Sequence, residues 1–430
     1  MEMLIKHSGI EWIGEIPAEW KIQRFKSVIH SMKKGNGITK EDVVANGEVQ
    51  CVRYGEIYSK YSGSFAKCVS TTNLANVSSP QFFSYGDILF ACTGELTEEI
   101  GKNVVYVGSE ECLAGGDIII AKHSQNPVFL NYAMNSAYAQ AQKSRDKTKL
   151  KVVHISASEI GNVRIALPPI YEQTKVASFL DGECARIDSI IEQTRASIEE
   201  YKKLKQALIT EAVTKGVRPG RVMKDSGVEW IGEIPADWSM ERGKKLFVEI
   251  NARSSDGSEE LLTVSQYTGI TPRSQKNVNM FEAETLEGYK ICEIGDIAAN
   301  TMWMWAGAIG VSQYRGVISP SYNIYRQKNN DYYSNYLDYL LSAKPLVEHY
   351  ESLSTGIRAS RLRLYPQQFL SIRFPLPPVG EQREIAEYLH GKIIEINKLI
   401  DNKNSLISEL EEYKKTIIYE YVTGKKRVDS

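Results

Sequence analysis

The chain has 430 residues, 42% of them apolar and 24% charged, and its formal net charge is −1. Such a composition is typical of a soluble globular protein with room for two or three domains. No apolar run approaches the ~18 residues of a membrane span, and the N-terminal residues resemble neither a signal peptide nor a transit peptide. The six scattered cysteines include no Cys-x-x-Cys pair, which favours reduced thiols in a cytoplasmic protein.

Two blocks of sequence occur twice, which predicts a tandem duplication with pseudo-two-fold symmetry. The segment at residues 8–20, Ser-Gly-Ile-Glu-Trp-Ile-Gly-Glu-Ile-Pro-Ala-Glu-Trp, returns at 226–238 with eleven of thirteen positions identical. Leu-Pro-Pro at 167–169 returns at 376–378, and in both copies Glu-Gln begins three residues after the second Pro. The tryptophans of the first of these blocks, which are Trp12 and Trp20 in one copy and Trp230 and Trp238 in the other, are predicted to anchor each opening segment to the helices described below.

Each repeat begins with a globular part, at residues 1–166 and 217–375. Both parts contain short β-type runs separated by turn signals, with shorter helical patterns between them, which predicts an α+β fold. Outside the repeated blocks the two parts barely resemble each other. A preserved frame with two divergent regions suggests two copies of one device that recognise different targets.

A long helix is predicted to follow each globular part, at residues 167–216 and 376–430. Pro is tolerated at the start of a helix but not inside one, and about forty Pro-free residues follow each Leu-Pro-Pro. At ~1.5 Å per residue each helix is roughly 60 Å long, more than a compact domain needs. Apolar residues at spacings of three and four form a single stripe on each helix, so each needs a partner, which the other copy supplies. The predicted stripes, which form the helix-pair interface, are Ile187, Ile191, Ile198, Tyr201, Leu204, Leu208 and Ala212, and Leu389, Ile393, Ile396, Ile400, Ile407, Leu410, Ile417 and Tyr421.

The sequence contains no recognisable active site. It lacks a phosphate-binding Gly-x-x-x-x-Gly-Lys-[Ser/Thr] loop, a Gly-x-Ser-x-Gly elbow and a His-Glu-x-x-His zinc motif, and its histidines are isolated. Residues 319–322, Ser-Pro-Ser-Tyr, faintly resemble the target-base loop of amino-methyltransferases, but they lack its second Pro and are interpreted as a turn. No catalytic residue and no metal ligand is therefore predicted.

Positive charge is concentrated before each long helix, where it favours binding to nucleic acid. One run lies within 143–151 and the other within 358–373, and both are flanked by polar residues. Lys and Arg neutralise phosphates, and Arg also binds a guanine edge with two hydrogen bonds. Trp303 and Trp305 are either further base readers or core residues. The predicted DNA-binding residues are Lys33, Lys34, Lys143, Arg145, Lys147, Lys149, Lys151, Arg273, Lys276, Gln313, Arg315, Arg358, Arg361 and Arg363.

Taken together, these features resemble the specificity subunit of type I restriction-modification systems. The resemblance rests on the Trp-Ile-Gly-Glu-Ile-Pro-x-x-Trp block, on Gly-Asp-Ile at 86–88 and 295–297, and on the Leu-Pro-Pro-x-x-Glu-Gln start of each helix. Gly356-Ile357-Arg358, upstream of the second Leu-Pro-Pro, belongs to the same pattern. The resemblance covers essentially the whole chain, but the basic segment 144–149 of the first copy has no Gly.

The resemblance implies two target-recognition domains that each read one half of a bipartite site on double-stranded DNA. The long helices would pair antiparallel as a coiled coil, set the spacing between the half-sites, and dock the partner subunits. The chain itself would be non-catalytic and would bind no cofactor. S-adenosylmethionine would be bound by two modification (methyltransferase) subunits, and ATP and Mg by restriction subunits.

Two other interpretations remain open from the residues alone. One is a self-contained DNA methyltransferase or nuclease, which would need a cofactor loop or a carboxylate cluster that the sequence does not contain. The other is a coiled-coil scaffold that binds only protein, which predicts no salt-sensitive association with DNA.

Overall fold

The computed structural model describes residues 4–145, 147, 152–276, 285–356 and 362–428. The chain divides into two compact units: Met1–Thr194 with Ser405–Ser430, and Arg195–Asn404. Within the described part of the chain, no helix combines the length and apolar character that crossing a bilayer requires.

The first unit contains the N-terminal globular part. Its strands are β1 (Ile5–His7), β2 (Glu15–Pro17), β3 (Lys21–Arg24), β4 (Ile29–Lys34), β5 (Val49–Val52), β6 (Ser64–Phe65), β7 (Ser70–Thr72), β8 (Phe82–Phe83), β9 (Ile88–Ala91), β10 (Thr93–Gly94), β11 (Asn103–Tyr106), β12 (Cys112–Ala114), β13 (Ile118–His123), β14 (Val153–His154) and β15 (Arg164–Leu167). Its short helices are α1 (Tyr54–Ser59), α2 (Pro127–Asn135), α3 (Ala137–Lys143) and α4 (Ala157–Asn162), and the long helix α5 (Ile170–Lys215) follows.

Two sheets form the core of this part. A five-stranded sheet has the order β4-β13-β9-β11-β6, and a four-stranded sheet has the order β7-β5-β12-β8. Strand β9 is buried throughout and lies between β13 and β11, which explains why its sequence, Ile-Leu-Phe-Ala, is continuously apolar rather than alternating. A separate antiparallel ribbon pairs β3 with β15 and so joins the opening segment to the strand that leads into α5.

The second unit contains the other globular part. Its strands are β16 (Met223–Asp225), β17 (Glu233–Pro235), β18 (Ser239–Arg242), β19 (Phe247–Ile250), β20 (Leu262–Ser265), β21 (Gly269–Pro272), β22 (Lys290–Cys292), β23 (Ile297–Ala299), β24 (Ile309–Val311), β25 (Gly316–Ile318), β26 (Asn323–Gln327) and β27 (Arg373–Leu376). Its helices are α6 (Gly243–Leu246), α7 (Ser334–Leu341), α8 (Lys344–Leu353) and α9 (Pro366–Ser371), and the long helix α10 (Val379–Val422) follows.

The main sheet of the second part has the order β19-β26-β23-β24, and β18 pairs with β27 as β3 pairs with β15. Its hydrophobic core does not end at the globular part. Ile209 and Val213 of α5 and Ile385 and Leu389 of α10 belong to the same buried cluster as the core residue Trp238. The ends of both long helices are therefore part of the core of this unit.

The repeated Gln fixes the start of each long helix. In the first unit Gln173 accepts a hydrogen bond from the backbone N–H of Asn126 (3.0 Å) and donates to the Pro168 carbonyl (2.9 Å). Gln382 accepts one from the N–H of Tyr333 (2.7 Å) and donates to the Pro377 carbonyl (3.0 Å). Each Gln thus ties the first helical turn to its globular part, which accounts for its presence in both copies.

The repeated Trp and Glu anchor the opening segment, as predicted for two of the four tryptophans. The indole N–H of Trp20 donates to Glu172 (2.9 Å), and that of Trp238 donates to Glu381 (3.0 Å). Both indoles are fully buried, whereas Trp12 is partly exposed. A glycine with positive φ packs against each buried indole, Gly424 on Trp20 and Gly216 on Trp238.

The long helices pair antiparallel within each unit, which confirms the predicted fold class. In the first unit the rings of Phe179 and Tyr421 lie 4.4 Å apart, and Lys414 pairs with Asp188 (2.6 Å). In the second unit Lys205 donates to Asn397 (3.1 Å), and Arg218 pairs with Glu384 (2.6 Å). In the first unit the contacts join the first half of α5 to the last turns of α10, and in the second unit they join the end of α5, or the turn just after it, to the first half of α10.

Most of the predicted stripe is removed from solvent. The buried members are Ile187, Ile191, Ile198, Ala212, Leu389, Ile396, Ile407 and Ile417. The half-buried members are Tyr201, Leu208, Ile393, Ile400, Leu410 and Tyr421. Leu204 is 47% exposed, so its inclusion was wrong, whereas the unpredicted Ile209 is buried. The reason is that the last turns of α5 face the core of the second unit.

Candidate nucleic-acid interface

Lys143 does not belong to a DNA-binding surface, and this prediction was wrong. It is the last residue of α3, is only 2% exposed, and its ammonium donates to the Gly101 carbonyl (2.7 Å). Burial lowers the pKa of Lys143 to about 7. Counting charges along the chain missed this because the helical phase, rather than the local sequence, turns this side chain inward.

Lys147 is engaged by its own unit. Its ammonium donates to the His154 carbonyl (2.7 Å) and pairs with Glu159 (2.5 Å), which leaves its side chain 16% exposed. The neighbouring predictions Lys149 and Lys151 lie outside the described residues.

One groove in the first unit is lined by Lys34 and by the ion-pair partner of Lys147. Lys34 and Glu159, which pairs with Lys147, both line this groove of about 400 Å³. Lys34 of β4 pairs with Asp117, the residue before β13 (2.8 Å), and this hydrogen bond raises the pKa of Lys34. Lys33 is exposed on the same strand. The groove holds both signs of charge, so Lys34 is partly neutralised by the protein itself.

Arg145 lies over the ring of Trp12, with 5.1 Å between its guanidinium and the ring centroid. Both residues line a groove of about 470 Å³ together with Arg24 and Arg164, neither of which the sequence singled out. These two arginines could be found only from their pairing across β3 and β15, because residue spacing does not reveal the register of the two strands.

Four of the predicted DNA-binding residues of the second unit lie in two different turns. Arg273 begins a 3-10 turn after β21, and burial together with the charge of Arg273 lowers the pKa of Lys276. Gln313 and Arg315 are exposed between β24 and β25, where Arg315 pairs with Glu293 (3.2 Å).

Trp303 and Trp305 lie before β24, whereas Gln313 and Arg315 lie after it, so the two groups are at opposite ends of a three-residue strand. The two indoles stack at 5.7 Å, and Trp303 is 50% exposed. The core interpretation is therefore wrong for Trp303, which stacks on the half-buried Trp305.

Arg363 closes a hairpin loop. Its backbone exchanges two hydrogen bonds of 3.0 Å with Thr355, and its side chain is exposed. Arg358 and Arg361 fall at 357–361, outside the described residues. Arg363 thus lies opposite Thr355, which comes two residues after the end of α8.

The described residues contain no group of three or more His, Cys, Asp or Glu side chains placed to hold a metal ion. All six cysteines are free and buried. Burial raises the pKa of Cys51 to about 11 and that of Cys92 to about 11, so these thiols stay protonated at neutral pH.

Two units that each carry a globular reader and a pair of antiparallel helices define a class of fold seen in solved structures. One is a chain described under "Structural basis underlying complex assembly and conformational transition of the type I R-M system", which matches with a TM-score of 0.73 at 16% identity over 96% of this chain and 99% of that one. The HsdS subunit from Thermoanaerobacter tengcongensis matches with a TM-score of 0.52 at 16% identity, over 96% and 98%. The chain shares its fold with these two proteins.

Sequence comparison agrees with the fold. Residues 17–200 match the family model described as type I restriction modification DNA specificity domain. A putative type I restriction enzyme MjaX specificity subunit of Methanocaldococcus jannaschii is 25% identical over 97% of this chain and 96% of its own length. The MjaVIII specificity subunit of the same organism is 24% identical over 96% and 94%. The resemblance predicted from the repeated blocks is confirmed: along nearly its whole length the chain is similar to type I restriction-modification specificity subunits.

Proposed function

We propose that the chain recognises a bipartite sequence on double-stranded DNA, with one globular part reading each half. The observation that carries this proposal is the contrast within the chain. The anchoring contacts of Trp20 and Trp238 repeat, and the strand order β4-β13-β9-β11 corresponds to β19-β26-β23-β24. Only the first part adds β6 to this sheet and carries a second sheet of four strands, whereas the second part has two-stranded ribbons instead. A repeated frame with different additions suits two readers of unlike half-sites.

The chain acts in this proposal as the recognition component and leaves the chemistry to its partners. Two modification subunits supply S-adenosylmethionine and methylate adenine, and restriction subunits supply ATP- and Mg-dependent translocation and cleavage. The cytoplasmic location expected from the sequence follows because the DNA substrate lies there. The exposed faces of α5 and α10 are the surfaces that we assign to the modification subunits.

The long helices set the spacing between the half-sites. Each begins in one unit and ends in the other, with the changes at 194/195 in α5 and 404/405 in α10. Inserting four residues at both points adds about 6 Å, which is roughly two base pairs of DNA. We expect such a variant to recognise the same half-sites with about two more unread base pairs between them.

Methylation-site mapping tests the function directly. DNA modified by the chain assembled with its modification subunits should carry methyladenine in one bipartite motif. The paired insertion should lengthen only the gap of that motif, and exchanging residues 217–375 for those of another specificity subunit should change only one half. Methylation without a bipartite motif, or S-adenosylmethionine bound by the purified chain alone, would contradict the proposal.

A further inference from the structure

Each unit carries two arginines directly opposite each other on the ribbon that leads into its long helix. Arg24 faces Arg164 across β3 and β15, and Arg242 faces Arg373 across β18 and β27. Side chains directly opposite on an antiparallel pair share one face, and like charges in that position are destabilising. All four residues are exposed, and none of them forms an ion pair within the described residues.

Most of the residues beside these arginines differ between the two copies. In the first strand of the ribbon, Lys-Ile-Gln-Arg at 21–24 corresponds to Ser-Met-Glu-Arg at 239–242, and only the arginine is common. In the second strand, Arg-Ile-Ala-Leu at 164–167 corresponds to Arg-Phe-Pro-Leu at 373–376. A like-charge pair that appears in both copies, while its neighbours differ, indicates a negatively charged ligand that offsets the repulsion.

The first unit surrounds its pair with a groove suited to an anion. The groove of about 470 Å³ adds Arg145, held over Trp12, to the two ribbon arginines. Gln142 fixes α3 to the ribbon because its amide accepts from the Arg164 N–H (2.9 Å) and donates to the Arg164 carbonyl (3.0 Å). Glu11 is the one acid that lines the groove, and no ion pair joins it to these arginines within the described residues.

We propose that each arginine pair, Arg24 with Arg164 and Arg242 with Arg373, binds a phosphate of the DNA backbone. The planar guanidinium donates two parallel hydrogen bonds to phosphate oxygens, so two of them can grip one phosphodiester from the same side. This inference rests on the function proposed above and adds sites that hold the duplex without reading it.

Two observations favour DNA over an acidic protein surface. First, each pair is close in sequence to a residue predicted to bind DNA: Arg145, which lines the groove, is two residues from Lys147, and Arg373 is ten residues after Arg363. Phosphate contacts position a protein on the duplex but carry no sequence information. Identical arginines in two units that read different sequences are what backbone contacts predict.

The test compares charge-neutralised ribbons with a matched control on the full chain assembled with its modification subunits. The variants are Arg24→Gln/Arg164→Gln and Arg242→Gln/Arg373→Gln. The control, Lys60→Gln/Lys344→Gln, removes the same charge from exposed positions outside the ribbons and outside the long helices. Binding to a specific and a random-sequence duplex is measured against salt concentration.

Each ribbon variant should lower affinity for both duplexes about tenfold to a hundredfold and reduce the slope of log K against log salt by about 1, the value for one phosphate. The methylated motif should not change, and the melting temperature should not fall because a like-charge pair is removed. The control should keep the wild-type slope. Arg24→Lys/Arg164→Lys should keep the slope and lose part of the affinity, because Lys retains the charge without the fork.

An unchanged slope in both ribbon variants would overturn the inference while leaving the function intact, since the bipartite methylation pattern is a separate readout. Loss of co-purification with the modification subunits, with an unchanged slope in the complex that remains, would instead assign the arginines to an acidic protein surface and overturn it as well. A wild-type complex without a bipartite motif would overturn the function first and this inference with it.

Discussion

The two units anchor their opening segments with the same contact but complete it differently. In the second unit Glu381 receives Trp238 and also pairs with Arg221, whose side chain is 14% exposed. In the first unit Glu172 receives Trp20 and pairs with Arg427, whose side chain is 41% exposed and comes from the tail after α10. Both units thus use the same Trp–Glu–Arg contact, but the arginine comes from a different place in the sequence. The arginine of the second unit is the less exposed to solvent.

The largest expected effect comes from removing the indole of either anchor. Trp20→Ala and Trp238→Ala should each lower the free energy of unfolding by about 3–5 kcal/mol, because each leaves a large cavity and an unpaired Glu carboxylate. Hydrogen–deuterium exchange should show the loss of protection in the unit that carries the change. Trp303→Ala, at a half-exposed ring, is the matched control and should change stability by less than about 0.5 kcal/mol.

Neutralising the two anchoring carboxylates tests whether the two anchors differ in strength. Glu381→Gln should cost about 2 kcal/mol because it leaves the enclosed Arg221 with only Asp237, whose side chain is 59% exposed, as its counter-charge. Glu172→Gln should cost about 1 kcal/mol, since the better exposed Arg427 can be solvated. Urea unfolding of the two variants measures the difference, and equal losses would show that the two anchors are equivalent in strength.

Because Lys143 is buried, the free energy of unfolding of the first unit should depend on pH more strongly than that of the second. The pKa of Lys143 is about 7 in the folded state against an ordinary value of 10.5, so between these pH values the unfolded state binds more protons. Stability should therefore rise with pH from 7 to 10 by up to about 1.4 kcal/mol per pH unit. Lys143→Met should abolish this rise. Burial also lowers the pKa of Lys290 in the second unit, but Glu249 opposes it, so Lys290→Met should have a smaller effect.

The smallest expected effect concerns DNA binding by single basic residues. Arg363→Gln should weaken association by about 1 kcal/mol and reduce the salt slope by about 1, because its exposed side chain is available to a phosphate. Lys147→Gln should change either quantity less, since Lys147 is already paired with Glu159. Fluorescence anisotropy across a salt series measures both, and an equal effect of the two variants would contradict this ranking.

The frame of the molecule could be predicted because its signals are local. Leu-Pro-Pro followed by a long Pro-free segment is sufficient to place the starts of α5 and α10 within a few residues, and the apolar period is sufficient to predict a partner helix. The repeated blocks identified the duplication because the two copies within the chain can be aligned with each other. The roles of Glu172 and Gln173 could not be predicted in this way, since their hydrogen-bond partners lie far from them in the sequence.

The binding surface was less predictable because charge along the chain does not give direction. Lys143 and Arg145 are two residues apart, yet one is buried against Gly101 and the other lies over Trp12. The repeat spacing matches Arg427 to Arg218, but Arg218 pairs with Glu384 and it is Arg221 that reaches the anchoring carboxylate. Burial and partner choice depend on helix phase and on the path of turns.

The sequence by itself determined the duplication, the two long helices, the α+β class of the readers and the family, because each follows from short-range pattern. Tertiary structure alone decided which basic side chains remain free, and it placed Arg24 opposite Arg164 and Arg242 opposite Arg373. Strand register brings together residues more than one hundred positions apart, and no periodicity in the chain encodes that pairing.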